Sequence, residues 1–152
     1  MKDFLEKLAS KNPTPGGGAA AAVVGAMAAA LAEMVCGLTK DDEVKRLAPS
    51  LQKYREELLR LADEDVAAFD AVMAAYKSKN KTEIRKALLG ATAVPEETMR
   101  LSKEVEELAK VVARKGSKNA VSDAKSAIYL AQAAQKSALE NVRINRESLK
   151  KL

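Results

Sequence analysis

The chain has 152 residues and a net charge of +5, and 47% of its residues are apolar although only 3% are aromatic. This length predicts a single domain over residues 1–152. Without stacking aromatics or an arginine-dense face, the positive charge does not indicate a nucleic-acid partner, and we expect no membrane partner either. With no histidine and one cysteine, the usual zinc sites and histidine-based mechanisms are excluded. The lone Cys36 fits a reducing cytoplasm.

The first half of the chain predicts one short helix and one long one. KDFLEKLASK has the pattern of a short amphipathic helix, and NPTPGGG ends it. Residues 18–38 form an alanine-rich run long enough to cross about 30 Å. We interpret this run as a buried helix of a soluble protein, because Glu33 interrupts it and Pro, Gly and acidic residues precede it, which argues against a membrane span or a signal peptide. We expect a short chain to be hardly able to bury such a helix alone.

The second half predicts three further helical segments. Apolar residues recur at helical spacing over residues 47–76. Residues 80–83, NKTE, resemble a capping box that opens a helix running towards Ala113. We expect Pro95 to kink or divide this helix. RKGSKN predicts a turn, and the last helix follows from Ala120. The fold class expected is therefore all-α, a multihelical bundle around a central Ala/Gly-rich helix.

The stretch PTPGGG is the first candidate site. It matches neither G-x-x-x-x-G-K-[ST] nor G-x-G-x-x-G, so it is a weak nucleotide signal. Prolines fix the path of the chain, and glycines let backbone N–H groups face an anion or a carbonyl at a helix N-terminus. Such a site would use Pro15, Gly16, Gly17 and Gly18, with close approach and a positive φ expected at Gly17. The alternative is a turn whose glycines only permit tight packing.

Asp65 is the second candidate, because it interrupts an apolar stripe between Leu61 and Phe69. An ionised carboxylate on a buried face costs several kcal/mol unless it is paired or hydrogen-bonded. Asp65 therefore has a partner, borders a wet cleft, or lies at the edge of the stripe.

The third candidate is the segment NAVSDAKS. Asn119 and Asp123 share one side of a helix, at the head of an apolar row, and Ser122 is adjacent. The ordinary alternative is that Asn and Ser cap the helix, with Asp123 near the positive end of its dipole. Asn141 and Asn145, in NVRIN, follow on the same helix. Asn141 lies eighteen residues after Asp123, about 27 Å along the axis, so a site using both needs a long ligand or a second chain.

Several of these segments, in this order, carry a resemblance to a known family. They are FLEKLASKNPTPGGGAAAAVVGAMAAALAEMVCGLT, DEDVAAFDAVMAAYK, AVPEETMRL, KGSKNAVSDAKSA and NVRIN. Over nearly its whole length the chain resembles the cyclodeaminase/cyclohydrolase family of one-carbon folate enzymes. Relative to the family pattern it is shorter after GLT and at the carboxyl end.

The resemblance implies an all-helical, intimate homodimer with folate clefts near the subunit interface. It also implies a tetrahydrofolate derivative as substrate and no metal or nucleotide cofactor. Family members are lyases that release ammonia from 5-formiminotetrahydrofolate, or hydrolases that open 5,10-methenyltetrahydrofolate with water. The alternative is a noncatalytic helical dimer that keeps the scaffold as a binding or assembly module.

The resemblance, together with the polar patch, places the chemistry on Asp123, with Asp65 in reserve. The substrate-binding residues expected are those of the PTPGGG turn, Pro15 to Gly18, together with Asn119, Ser122, Asn141 and Asn145.

Overall fold

The computed structural model describes all 152 residues and contains six α-helices and one 3-10 turn. The α-helices are α1 (Lys2–Leu8), α2 (Gly17–Leu38), α3 (Asp42–Lys45), α4 (Ala48–Ser78), α5 (Lys81–Lys115) and α6 (Val121–Lys150), and the 3-10 turn is Lys118–Ala120. The all-α prediction is confirmed. The short α3 begins where the Asp41 side chain accepts hydrogen bonds from the N–H groups of Glu43 and Val44.

Helix α2 lies at the centre of the molecule and packs against α4, α5 and α6. Half of its 22 residues are buried, and most of these are alanine or glycine. Small side chains let neighbouring helices approach closely. At Gly25 a Cβ atom would lie 2.7 Å from Ser102 Oγ on α5 and 3.3 Å from the Leu58 methyl groups on α4. Glycine is therefore required here by packing within one chain.

The expectation that a short chain can hardly bury α2 alone is wrong for half of the helix, because 11 of its 22 residues are buried within the chain. By length and composition α2 could cross a membrane. However, 56% of its most apolar 18-residue stretch is buried inside the molecule, as in the core helix of a globular protein. What remains exposed is a stripe of Met27, Ala30, Met34 and Leu38 on one face. We call these four residues the α2 stripe.

Helix α5 is continuous from Lys81 to Lys115, so Pro95 does not divide it, and the alternative expectation, a kink at Pro95, stays a prediction. Proline lacks an N–H group, which leaves the carbonyl of the residue four positions earlier without its helical donor. For Pro95 that carbonyl belongs to Ala91, and it finds another donor on α6, described below. At the start of α5 the Asn80 side chain accepts from the N–H groups of Thr82 and Glu83, which confirms the predicted cap.

Helices α5 and α6 are joined by a buried polar cluster that sequence patterns did not reveal. Glu106 on α5 accepts hydrogen bonds from Gln132 and Gln135 on α6, at 2.9 and 2.7 Å, and pairs with Lys110. Burial alone raises the pKa of Glu106, but these hydrogen bonds outweigh it and lower the pKa to about 2. The cluster keeps the carboxylate ionised, and its hydrogen bonds fix how α5 and α6 are aligned along each other.

Candidate active site

A cleft of about 230 Å³ opens where the PTPGGG turn meets α4, α5 and α6. It is lined by Pro13, Thr14, Gly16, Gly17, Gly18, Asp65, Ala68, Phe69, Ala91, Asn141 and Asn145. Six residues predicted from the sequence meet here: the three glycines, Asp65 and the two asparagines. Three separate stretches of sequence, each ambiguous alone, thus converge on one cleft.

Asp65 is the only charged residue that lines the cleft. Its Oδ2 atom accepts a hydrogen bond of 2.9 Å from the Ala19 N–H, in the first turn of α2. Burial raises the pKa of Asp65, and the Ala19 hydrogen bond offsets this only in part, so the pKa lies above its ordinary value. Of the three alternatives open at Asp65, the structure combines two: it has a partner and it borders a cleft.

Gly18 makes room for that carboxylate. A Cβ atom at Gly18 would overlap the Asp65 carboxyl group and come within 2.6 Å of its Cγ. Real side chains do not approach this closely, so any larger residue must displace Asp65. The glycine in the PTPGGG turn is therefore needed for the close approach of one side chain.

The backbone conformation at Gly17 does not require glycine. No glycine in the chain has a positive φ, so the positive φ expected at Gly17 is wrong. A Cβ there would lie 3.5 Å from Asn141 Nδ2, an ordinary contact. Gly16 is the N-cap of α2 in an extended conformation and offers no side chain to cap the helix. The N–H groups of Gly17 and Gly18 therefore remain as donors at the positive end of a long helix, whereas the Ala19 N–H is taken by Asp65.

Asn145 links the cleft to the proline in α5. Its Nδ2 donates a hydrogen bond of 2.8 Å to the Ala91 carbonyl, the acceptor that Pro95 leaves without its helical donor. Asn141 Nδ2 donates to the Ser137 carbonyl at 3.0 Å. Because each amide nitrogen is engaged, the Oδ1 atoms of Asn141 and Asn145 remain as acceptors on this wall of the cleft.

Pro15 lies on the other side of the turn, away from the cleft. It lines a larger cavity of about 680 Å³ between α1, α2 and α4, with Phe4, Val23 and Leu59. Thr14 borders both spaces. The turn therefore separates a small polar cleft from a larger apolar cavity.

Asn119, Ser122 and Asp123 lie elsewhere in the chain. Asn119 belongs to the 3-10 turn, and Ser122 and Asp123 begin α6, whereas Asn141 lies eighteen residues further along the same straight helix. At about 1.5 Å per residue this separates Asp123 from the cleft by about 27 Å. Of the ordinary alternative, capping by Asn or Ser does not hold, because the N-cap of α6 is Ala120 and no side chain caps it. Asp123 does lie in the first turn of α6, near the positive end of the helix dipole. Within one chain Asp123 cannot act in the cleft, so a role there requires a second chain.

The predicted site residues did not include five that line the cleft: Pro13, Thr14, Ala68, Phe69 and Ala91. Phe69 reads as part of the apolar stripe of α4, and the alanines carry no chemical signal. Pro95 was the one available clue, because a proline inside a helix always frees a carbonyl that something else must satisfy.

Comparisons with known proteins agree over almost the whole chain. Residues 1–151 match the family described as formiminotransferase-cyclodeaminase. A methenyltetrahydrofolate cyclohydrolase of Methylorubrum extorquens is 41% identical over 98% of this chain and 80% of its own length. A formimidoyltransferase-cyclodeaminase of Rattus norvegicus is 35% identical over 56% of this chain but only 17% of its own length. The crystal structure of a formiminotetrahydrofolate cyclodeaminase from Thermotoga maritima superposes with a TM-score of 0.93 at 38% identity, covering 98% of this chain and 79% of that one.

Proposed function

The chain belongs to the formiminotransferase-cyclodeaminase family and is a one-carbon folate enzyme, and from this premise we propose that it hydrolyses 5,10-methenyltetrahydrofolate in the cleft around Asp65. The observation that carries the proposal is the charge of the cleft. Its only charged lining residue is a carboxylate. The methenyl bridge joins two nitrogens as an amidinium cation, so substrate and cleft are complementary in charge.

Asp65 is placed to serve as the base in this reaction. Water adds to the electrophilic bridge carbon, and the carboxylate accepts the proton that the water loses. The adduct then loses its hydroxyl proton as the bond from the carbon to one folate nitrogen breaks. That nitrogen takes up a proton, a formyl group is left on the other nitrogen, and one proton is released overall. A base works best when its pKa is close to the working pH, and burial moves the pKa of Asp65 in that direction.

The walls of the cleft suit the pterin ring. Its amino and ring N–H groups need acceptors, which the free Oδ1 atoms of Asn141 and Asn145 supply. Its carbonyl needs donors, which the uncapped N–H groups of Gly17 and Gly18 supply. Catalysis then needs neither a metal nor a nucleotide cofactor, because the amidinium carbon is already electrophilic.

The cyclodeaminase reaction is the second candidate, favoured by the 0.93 TM-score to a solved formiminotetrahydrofolate cyclodeaminase. Here one folate nitrogen attacks the formimino carbon attached to the other and loses its proton. The formimino nitrogen gains protons and leaves as ammonia, which closes the methenyl bridge. In both reactions, opening and closing of the methenyl bridge, Asp65 would pair with the positive charge of the amidinium group.

The α2 stripe supports a homodimer. Met27, Met34 and Leu38 are 45%, 42% and 59% exposed, an apolar helix face without a partner in the chain. A second copy can cover it with its own stripe in a two-fold contact. Such a partner is also the only source from which Asn119, Ser122 and Asp123 can reach a cleft. We place this dimer in the cytoplasm, since its single cysteine is free and buried.

The test is turnover of both substrates by the purified protein. Absorbance of the methenyl chromophore falls during hydrolysis and rises during cyclodeamination. Loss of 5,10-methenyltetrahydrofolate well above the uncatalysed rate supports the hydrolase, and ammonia release from 5-formiminotetrahydrofolate supports the lyase. Activity with neither would contradict the proposal and favour a noncatalytic dimer that keeps the scaffold as a binding or assembly module.

A further inference from the structure

A groove between α4 and α5 continues the cleft towards the turn that joins these helices. Its volume is about 320 Å³, and Ala68 and Ala91 line both the cleft and the groove. The remaining small residues of its floor are Ala71, Ala87 and Gly90. The cleft and the groove are therefore adjacent, so a ligand that fills the cleft lies beside the groove.

The floor of the groove suits a flat, apolar group. No side chain on it extends beyond a methyl group, so a ring can lie directly against two helix backbones. At Gly90 an added Cβ atom would meet nothing within 4 Å, which shows that this part of the groove is open.

The far end of the groove carries a free positive charge. Lys86 lines it, is exposed and forms no salt bridge within the chain. Glu83 is the one acidic residue of the lining. The adjacent turn adds Lys77, Lys79 and Lys81, of which Lys81 donates a hydrogen bond to the Leu152 carbonyl, so lysines outnumber the one acidic lining residue at this end.

We infer that this groove binds the p-aminobenzoyl-glutamate tail of the folate, with its ring over Ala87 and Gly90 and a glutamate carboxylate at Lys86. The inference rests on the proposed function, since it takes the pterin to occupy the cleft. Ala91 and Lys86 are five residues apart on α5, about 7.5 Å along the axis, a separation that one benzene ring with its amide spans. Further glutamates on the tail then extend towards the three lysines of the turn.

The first test compares Lys86→Gln with the unmodified protein on two forms of substrate, 5,10-methenyltetrahydrofolate and the corresponding pteroate, which lacks glutamate. KM for the folate should rise about three- to fivefold, the effect of one partly exposed ion pair, with kcat unchanged. KM for the pteroate should not change, and the difference should shrink at high salt. The matched control is Lys7→Gln, a lysine that lines the larger cavity instead. Equal shifts for both substrates, no shift for either, or a shift in the control would overturn the inference.

The second test fills the groove. Gly90→Leu should raise KM about tenfold or more for folate and pteroate alike, because the side chain occupies the space of the ring. Its Tm should not fall, since the site is open and glycine disfavours the helix interior. Ala93→Leu, at an exposed position of the same helix outside the cleft and groove, is the control. An unchanged KM in Gly90→Leu would overturn the inference.

Equilibrium binding measurements distinguish an error in the inference about the groove from an error in the proposed function. If the protein turns over neither substrate, the proposed function is wrong. The groove is then judged by equilibrium binding of 5-formyltetrahydrofolate and 5-formyltetrahydropteroate. Weaker binding of the first alone in Lys86→Gln supports the groove, and equal binding by variant and parent, or no binding by either, contradicts it.

Discussion

At the scale of single residues, the cleft depends on one close approach, that of the Asp65 carboxylate to the start of α2. Helical spacing already showed that Asp65 interrupts an apolar stripe, and PTPGGG already marked a helix start. That the two meet could not be predicted, because Gly18 and Asp65 are 47 positions apart and only the packing of α2 on α4 brings them together. The glycine most sensitive to substitution is accordingly Gly18, where sequence reasoning singled out Gly17.

Substitutions at Gly18 and at Gly17 should therefore affect different kinetic constants. Gly18→Ala must move the Asp65 carboxylate and weaken its bond to Ala19, so kcat should fall by at least tenfold. Gly17→Val places a branched side chain beside Asn141, so KM should rise while helix content by circular dichroism stays nearly intact. Steady-state kinetics and a thermal melt on both variants check this. If Gly17→Val lost stability as much as binding, the glycines would serve packing alone.

The raised pKa of Asp65 predicts a pH-dependent gain in stability for Asp65→Asn. Because folding raises this pKa above its unfolded value, the folded parent binds the extra proton, and its stability falls as pH rises through the window from 3.8 upwards. Asparagine keeps an acceptor for the Ala19 N–H and carries no charge. Its Tm should match the parent's below that window and exceed it at neutral pH. The exposed neighbour change Asp63→Asn is the control, and a variant less stable than the parent at neutral pH would contradict the assignment.

At the scale of helices, sequence periodicity predicted nearly every element because each carries a strong local signal. The alanine run, the Asn80 cap and the alanine row of α6 all lie where their patterns placed them. That the helix continues past Pro95 could not be predicted, because the compensating interaction is tertiary: Asn145 donates to the freed carbonyl of Ala91, 54 positions earlier in the chain. The rise per residue of α6, in contrast, already showed that Asp123 and Asn141 can share a site only through a long ligand or a second chain.

Replacement by alanine should change the free energy of unfolding in opposite directions at two glycines in helix interiors. Gly25→Ala places a Cβ 2.7 Å from Ser102 Oγ and should destabilise the fold by about 1–3 kcal/mol, and Gly25→Leu by more. Gly90→Ala meets nothing and should stabilise it by about 0.5–1 kcal/mol. Urea unfolding of both variants measures the difference. A Gly25→Ala variant as stable as the parent would mean that α2 is less tightly packed than described.

At the scale of the whole molecule, the α2 stripe is what a single chain leaves unburied, and the proposed homodimer covers it. Met34→Glu puts a charge in the middle of the stripe and should shift the protein from dimer to monomer in sedimentation at micromolar concentration. The fold should persist, because Met34 is already exposed in the chain. Lys53→Glu, on the exposed surface of α4, is the control. A compact monomer already in the parent protein would contradict the dimer.

A shared site in the dimer would restore the role predicted for Asp123. In that case Asp123→Asn lowers turnover by about 10²–10⁴-fold, as expected for loss of an acid–base group. Mixing it with Asp65→Asn then recovers activity, since each heterodimer has one site with both carboxylates. Near-normal turnover of Asp123→Asn alone would remove Asp123 from the mechanism.

The most direct measurement is the turnover of 5,10-methenyltetrahydrofolate and 5-formiminotetrahydrofolate by Asp65→Asn beside the parent protein. If the cleft is the active site and Asp65 its base, kcat for the substrate that the parent uses falls by about 10²–10⁴-fold, while the melt at neutral pH shows a folded protein. A folded Asp65→Asn variant that turns over this substrate at nearly the parental rate would contradict the account.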